Sequence, residues 1–322
     1  MNNQNKINLL ITGGAGFIGS NLVADLLSNG NTVTVLDNLS TGFRENIARF
    51  ESDKKFTFIE GDIRSIEACE SAVSGCEIVF HQAALGSVPR SIENPMRTNA
   101  VNVGGTVNVL HAAKEQGVER VILAFSSSTY GDHPGLPKVE GREGKPLSPY
   151  AVSKAAIEQY ADVFGNTYGL NWIGLRYFNI FGPRQNPDNP YAAVIPIFCK
   201  AFIEGTDITI NGDGETSRDF TYVANAIQAN DKALFTDHPE ALNQVYNTAC
   251  GDQVTLNQMV SMLEGISGKK VKVNYGPERP GDVKHSRADI SKITELLDYQ
   301  PEVRFEEGLK EVYEWYKGEV EV

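Results

Sequence analysis

Tyr150 and Lys154 stand four residues apart in Tyr150-Ala-Val-Ser-Lys154, directly after Pro149. Positions i and i+4 of a helix share a face, so this spacing sets a phenol beside an ammonium. A free phenol titrates near ~10 and is a poor base at neutral pH. A neighbouring cation favours the phenolate, so the pair reads as a proton-transfer unit in which Lys154 lowers the tyrosine pKa. The same spacing also occurs between ordinary exposed helix neighbours. What gives it weight here is the sequence upstream.

Gly13-Gly-Ala-Gly16-Phe17-Ile18-Gly19 lies between an apolar run at 7–12 (INLLIT) and a helical pattern at 17–29. That is where a dinucleotide-binding turn belongs. Gly13 allows the tight turn, Gly16 lets a pyrophosphate approach the backbone, and Gly19 allows close helix–strand packing. The phosphates would meet the unpaired N–H groups at the helix start. Asp37-Asn38 ends the second apolar run, 32–37 (TVTVLD). A carboxylate there accepts ribose hydroxyls and repels a 2′-phosphate, which favours NAD over NADP. Asp62-Ile63 follows the third strand and is placed to meet the adenine. In His81-Gln82-Ala83-Ala84 the small residues let the cofactor lie against the backbone, with Asn99 supporting that turn from the following helix. His81 reads as a locally hydrogen-bonded residue rather than a catalytic one. The five histidines form no recognised ligand spacing, so no metal site is expected.

These residues require a scaffold of alternating strands and helices. The pattern gives strands at 7–12, 32–37, 56–60, 77–81, 119–125 and 171–176. Helices are expected at 17–29, 66–73, 149–168 and, as one long element, near 95–117. Such alternation predicts an α/β fold, a Rossmann-type doubly wound parallel sheet with right-handed crossovers. Pro183, Pro187, Pro190 and Pro196 then break the periodicity. We expect residues 1–180 to form the NAD-binding domain and 181–322 to form mainly a smaller α/β substrate-binding domain. Some segments, such as 220–235, are expected to return to the sheet.

With 41 acidic against 29 basic side chains, the net charge of -12 argues against a nucleic-acid surface, while allowing a local basic pocket for phosphates. Cys69, Cys76, Cys199 and Cys250 show no CxxC spacing and read as free thiols of a reducing compartment. Met1–Lys6 lacks an apolar targeting region, and no apolar run approaches ~20 residues. A cytoplasmic protein with no membrane association is expected.

The glycine turn, Asp37, Asp62-Ile63, Ser126-Ser127-Ser128 and Tyr150/Lys154 together resemble the extended short-chain dehydrogenase/reductase family, over essentially the whole chain. Within it the chain is similar to the nucleotide-sugar 4-epimerases. Arg176-Tyr-Phe-Asn179 with Gly182, Arg218-Asp219-Phe220 and Arg279-Pro-Gly-Asp282 are like the family's substrate-side motifs. Ser126-Ser-Ser-Thr-Tyr-Gly-Asp132 and Tyr191-Ala-Ala-Val194-Ile-Pro196 resemble the branch acting on UDP-N-acetylhexosamines in polysaccharide biosynthesis.

The resemblance implies NAD-dependent, reversible inversion at C4 of UDP-GlcNAc and UDP-GalNAc through a 4-keto sugar. UDP-Glc and UDP-Gal are further candidate substrates. Tyr150 would act as the base, Lys154 would hold the nicotinamide ribose, and a serine would bridge the phenol and the sugar oxygen. Counting back from Tyr130-Gly131 selects Ser126; counting forward permits Ser127 or Ser128. Ser126 is expected first and Ser127 second. Arg218 and Arg279 would neutralise the UDP diphosphate, Asn179 would bond a phosphate or sugar oxygen, and Asp282 would accept uridine ribose hydroxyls. Val194 would line the same site. Ser286, four residues after Asp282, would leave room for an acetamido group where a tyrosine would exclude it. The helices near 95–117 and 149–168 resemble those of the family's intersubunit bundle, which implies a homodimer.

Other functions share parts of this pattern. A 4,6-dehydratase needs an acid–base pair after the bridging hydroxyl residue, where this chain has Ser127 and Ser128. A UDP-glucuronate epimerase or decarboxylase needs only a different pocket. A non-catalytic NAD-binding regulator has no use for Tyr150, Lys154 and the serine run together.

Overall fold

A computed structural model describes residues 6–188, 192–278 and 284–320. Seven strands form one sheet: β1 (Asn8–Thr12), β2 (Thr32–Asp37), β3 (Phe56–Glu60), β4 (Ile78–His81), β5 (Arg120–Ser126), β6 (Trp172–Tyr177) and β7 (Gln244–Thr248). Their order is β7-β6-β5-β4-β1-β2-β3, and every neighbouring pair is parallel. The expected Rossmann-type sheet is therefore present. Parallel strands covered on both faces carry continuous apolar runs, and β1 shows why. Leu9 and Ile11 pack into one core beneath the sheet, while Leu10 packs into a second core on the opposite face.

The chain reverses direction across the sheet between β1 and β4, the topological switch point where open α/β sheets bind ligands beyond their carboxyl ends. Helix α1 (Phe17–Ser28) leaves β1, α2 (Ile66–Val73) links β3 to β4, and α3 (Gly105–Glu115) precedes β5. Helix α4 (Pro149–Tyr168) follows the long turn after β5. The region read as one helix near 95–117 is instead broken. Val88–Glu93 and Pro95–Asn99 are separate short helices, and Ala100–Gly104 is a π-turn leading into α3. Pro95 cannot continue the preceding helix because it lacks an amide hydrogen.

After residue 180 the chain makes three small two-stranded pairings, 180–181 with 221–222, 217–218 with 254–255, and 208–211 with 273–276. Helix α5 (Val223–Phe235) then packs on α1 and β6, and β7 adds beside β6. The strand at 244–248 has no counterpart in the pattern read from sequence. It is a five-residue segment, QVYNT, with only two strongly apolar side chains.

Asp25 on α1 faces Asp231 on α5. Burial, then the charge of Asp25, pushes the Asp231 carboxyl up to about 8, and its proton is donated to Asp25. Burial raises Asp25 as well. Two carboxyls in one site cannot both ionise cheaply. A raised folded-state pKa means that the stabilisation is complete below the ordinary value of ~4 and is lost as pH climbs through about 8. Asp231→Asn should therefore raise the melting temperature by roughly 2–4 °C at pH 8 and by far less at pH 4. Thermal unfolding across that range checks it; equal shifts at both ends would contradict a shared proton.

Candidate active site

A cavity of about 700 Å³ opens at the carboxyl ends of the strands. Gly13, Gly16, Phe17, Ile18 and Gly19 line one side of it. Gly13 has φ +73°, and a Cβ there would lie 2.7 Å from the Ala83 backbone. At Gly19 a Cβ would lie 2.1 Å from the Gly13 carbonyl oxygen, so α1 is pressed against its own loop. The start of α1 has no side-chain cap and no acidic residue in its first turn. Its free N–H groups and positive dipole end suit an anion. These features fit a dinucleotide.

Asp37 is buried at the end of β2; its carboxylate accepts Ala15 N at 3.0 Å and Leu39 N at 2.9 Å. It thus fixes the glycine loop as well as lining the cavity. Asn38 donates to Asp62 at 2.7 Å, and both line the cavity with Ile63. Hydrogen bonds from Arg64 hold the Asp62 carboxyl well below the usual range. Gln82, Ala83 and Ala84 also face the cavity. Burial drops the His81 pKa to about 3, so the ring is neutral, held 2.7 Å from Thr12 Oγ1 and 2.9 Å from Thr106 Oγ1. Gln82 joins a network that sequence reading missed: Tyr177 donates to Gln82, and Asn230 donates to the Tyr177 hydroxyl at 2.8 Å.

Ser148 caps α4 through Ala151 N at 3.1 Å, with Pro149 at the first helical position. This places Tyr150 in the first turn and Lys154 one turn further, both lining the cavity. Ser126 is hydrogen-bonded to the Tyr150 phenol. Ser127 and Ser128 line the cavity too, and the Ser128 hydroxyl is buried with no partner among the described residues. The electrostatics differ from the expectation. Burial raises the Tyr150 pKa, with the Ser126 hydrogen bond opposing it. Burial lowers the Lys154 pKa to about 8, and its ammonium donates to the Ala124 carbonyl at 2.6 Å. The phenol is thus set by burial and by Ser126, and the lowering expected from Lys154 is not what governs it.

Asn99 is also a correction. It is exposed and does not line the cavity. The π-turn carries Asn102 inward instead, where it is 1% exposed. Asn102 accepts Leu85 N at 2.8 Å and donates to Leu85 O at 3.2 Å and to Ser153 Oγ at 3.0 Å. It ties the cofactor-side turn to α4. An asparagine three residues after Asn99 was visible in sequence, but the π-turn that selects it was not.

On the other side of the cavity lie Asn179, Arg218 and Ser286. Asn179 has φ +41° and donates to the Asp219 carbonyl at 3.0 Å. The Asp219 carboxylate, pushed up to about 7 by burial, accepts Cys250 N, Gly251 N and Ala288 N. Arg218 donates to the Ser217 and Lys284 carbonyls. The Ser286 hydroxyl is buried without a partner among the described residues. Val194 begins the helix Val194–Glu204 and packs into the core; its neighbours Ala192 and Ala193 line the cavity, and Val194 does not. Arg279, Asp282 and Tyr191 lie outside the described residues. Sequence reading also missed the packing role of Arg176, whose guanidinium is buried between Glu158 and Glu143, both at 2.5 Å.

The chain belongs to the NAD-dependent epimerase/dehydratase family, whose sequence model matches residues 9–249, and its enzyme class is that of the NAD-dependent nucleotide-sugar 4-epimerases. A UDP-N-acetylglucosamine 4-epimerase from Methanobrevibacter ruminantium, solved with UDP-N-acetylmuramic acid, is 40% identical with a TM-score of 0.92, covering 98% of this chain and 100% of that one. A UDP-glucuronic acid 4-epimerase from Bacillus cereus, solved with UDP-glucuronic acid and NAD, is 33% identical with a TM-score of 0.90, covering 97% and 99%. The UDP-glucose 4-epimerase of Mycolicibacterium smegmatis is 36% identical over 311 residues, 96% of this chain and 98% of that one.

Asn102→Ala would leave the Leu85 N–H and C=O buried without partners. We expect it to cost about 2–3 kcal/mol, whereas Asn99→Ala should stay within about 0.5 kcal/mol of the parent. Urea unfolding of the two variants measures the difference; comparable losses would remove Asn102 from its supporting role.

Proposed function

We propose that this enzyme interconverts UDP-N-acetylglucosamine and UDP-N-acetylgalactosamine by inverting C4. The observation that carries this reading is Ser286. Its hydroxyl is buried in the cavity wall with no partner among the described residues, and the Ser128 hydroxyl is in the same condition. An unmet buried hydroxyl costs free energy until a ligand supplies its partner. The acetamido group of an N-acetylhexosamine offers both a donor and an acceptor, and serine leaves it room.

NAD, when bound, supplies a hydride acceptor and donor. The protein's part is the proton. Tyr150 takes the proton of the sugar 4-hydroxyl and returns it to the ketone oxygen after the ketose has turned over. Ser126, which acts on the phenol through a hydrogen bond, would bridge it to that oxygen. With the phenol raised by burial, added positive charge in the cavity is what makes it a usable base. Lys154, anchored on Ala124, is held where it can reach a ribose hydroxyl. Arg218 and Arg279 would take the UDP diphosphate, Asn179 a phosphate or sugar oxygen, and Asp282 the uridine ribose. Asp37 would take the adenosine ribose.

A second reading, a substrate with a carboxylate on the sugar, has one observation in its favour. Lys138 is a buried lysine lining the same cavity. Its ammonium donates to the His133 carbonyl, and no carboxylate pairs with it among the described residues.

We take the enzyme to be a cytoplasmic homodimer with residues 1–180 as its cofactor domain. Val152, Tyr160 and Val163 on α4, with Ile92 and Met96 nearby, leave an apolar face exposed, which favours burial against a second copy. The four cysteines are free, and no helix among the described residues is long and apolar enough to cross a membrane.

NMR of the protein incubated with UDP-GlcNAc should reveal UDP-GalNAc, with no net NADH released. Ser286→Tyr should reduce kcat/KM for UDP-GlcNAc by at least ~10²-fold and leave UDP-glucose turnover within a few-fold, since exclusion by bulk acts on one substrate class. Normal UDP-GlcNAc turnover in that variant would remove Ser286 as the gate.

A further inference from the structure

One arginine in the cavity wall is used by none of the roles above. Arg184 lines the cavity, and its Nη1 is buried with no hydrogen-bond partner among the described residues. A guanidinium carries five donors and almost always finds acceptors when buried. No carboxylate among the described residues pairs with it. The nearest acid along its own loop, Asp188, is engaged by Lys200. The charge acting on Arg184 is another cation, Arg49, and burial together with that repulsion brings its pKa down to about 10. Arg184 is half-buried, and an unmet guanidinium donor beside a like charge is stabilised by an anion.

The backbone repeats the message. Arg184 has φ +69°, a conformation that glycine adopts freely and arginine does not. Tethers on either side hold it there. Asn21 on α1 donates to the Pro183 carbonyl at 3.2 Å, and the Tyr316 hydroxyl donates to the Gln185 carbonyl. Gly182 has no room for a side chain, since a Cβ would lie 2.5 Å from Val223 and 3.6 Å from the Phe17 ring. The loop is thus clamped over the first turns of α1, whose uncapped start faces the same cavity. Strain of this kind persists where the surroundings over-determine it, and it concentrates at ligand clamps.

We propose that Arg184 is a diphosphate-binding residue, closing from the loop side on the diphosphate bridge of a nucleotide whose other side meets the start of α1. A diphosphate offers paired, charged oxygens that match the planar fork of a guanidinium. The anchoring of its loop on Asn21 favours the diphosphate of the dinucleotide. That of the nucleotide sugar has the same chemistry, and the two are separable by experiment.

The test uses the full chain, freed of bound nucleotide, in three forms: native, Arg184→Met and Arg184→Gly. The methionine keeps the stem and loses the charge. The glycine also relieves the positive φ, so its melting temperature without ligand should equal or exceed that of the native protein. Calorimetric titration with NAD and separately with UDP reads the binding. Both variants should bind NAD at least about tenfold more weakly, and the native protein's loss of NAD affinity with rising salt should be shallower in both. Weakening confined to UDP would assign the residue to the nucleotide sugar's diphosphate. Unchanged affinity for both ligands in the well-folded glycine variant would overturn the proposal, as would a loss matched by unfolding in both variants.

Discussion

Desolvation of the Tyr150–Lys154 pair is the constraint on which the site depends. Taking a phenol out of water holds its proton on, and taking an ammonium out of water loosens one. Burial therefore drives the two pKa values apart, the phenol up and the lysine down to about 8. Left to themselves they would set a protonated, unreactive phenol beside an ammonium that stays charged below about pH 8. Polar contacts limit that outcome: Ser126 supports the phenolate, Glu158 favours the charged lysine, and the Ala124 carbonyl fixes the ammonium in place. Positive charge entering the cavity would favour the phenolate, and the proposed proton transfer would in that way depend on cofactor occupancy.

That arrangement needs α4 to be held firmly against the sheet. Its start is set by Ser148 and Pro149, and its inner face is tied to the cofactor-side turn through Ser153 and Asn102. Arg176, bonded to Glu158 on α4 and to Glu143, ties β6 to the same helix. On the opposite wall the Asp219 carboxylate gathers three backbone amides, from Cys250, Gly251 and Ala288, and so sets the position of Arg218 beside it. Buried networks of this sort rigidify when fully satisfied. Among the buried polar atoms without a partner, four belong to residues that line the cavity: Ser128, Arg184, Gln185 and Ser286.

Local signals carried most of this into the sequence. The glycine turn, Asp37 and the six apolar runs from 7–12 to 171–176 were legible because each depends on residues close in the chain. So was the Tyr150/Lys154 spacing, since i and i+4 meet on any helix. Long-range effects were not legible. The strand Gln244–Thr248 is defined by pairing with β6, some seventy residues earlier, and its own composition is weak. Asn102 replaces Asn99 because a π-turn shifts the helix face, and helical periodicity assumes that no such shift occurs. The sign of the Tyr150 shift depends on how much protein surrounds the phenol, which spacing does not report. Val194 was drawn into the site by a motif, whereas the fold turns it to the core and gives the wall to Ala192 and Ala193.

The coupling between buried phenol and cofactor charge is tested most directly by titrating Tyr150 itself. The tyrosinate absorbance of the native protein minus that of Tyr150→Phe isolates one of the twelve tyrosines. In protein freed of dinucleotide the phenol should titrate above the ordinary ~10, and with NAD bound it should titrate well below that value, towards neutrality. The same pKa with and without NAD would contradict the account.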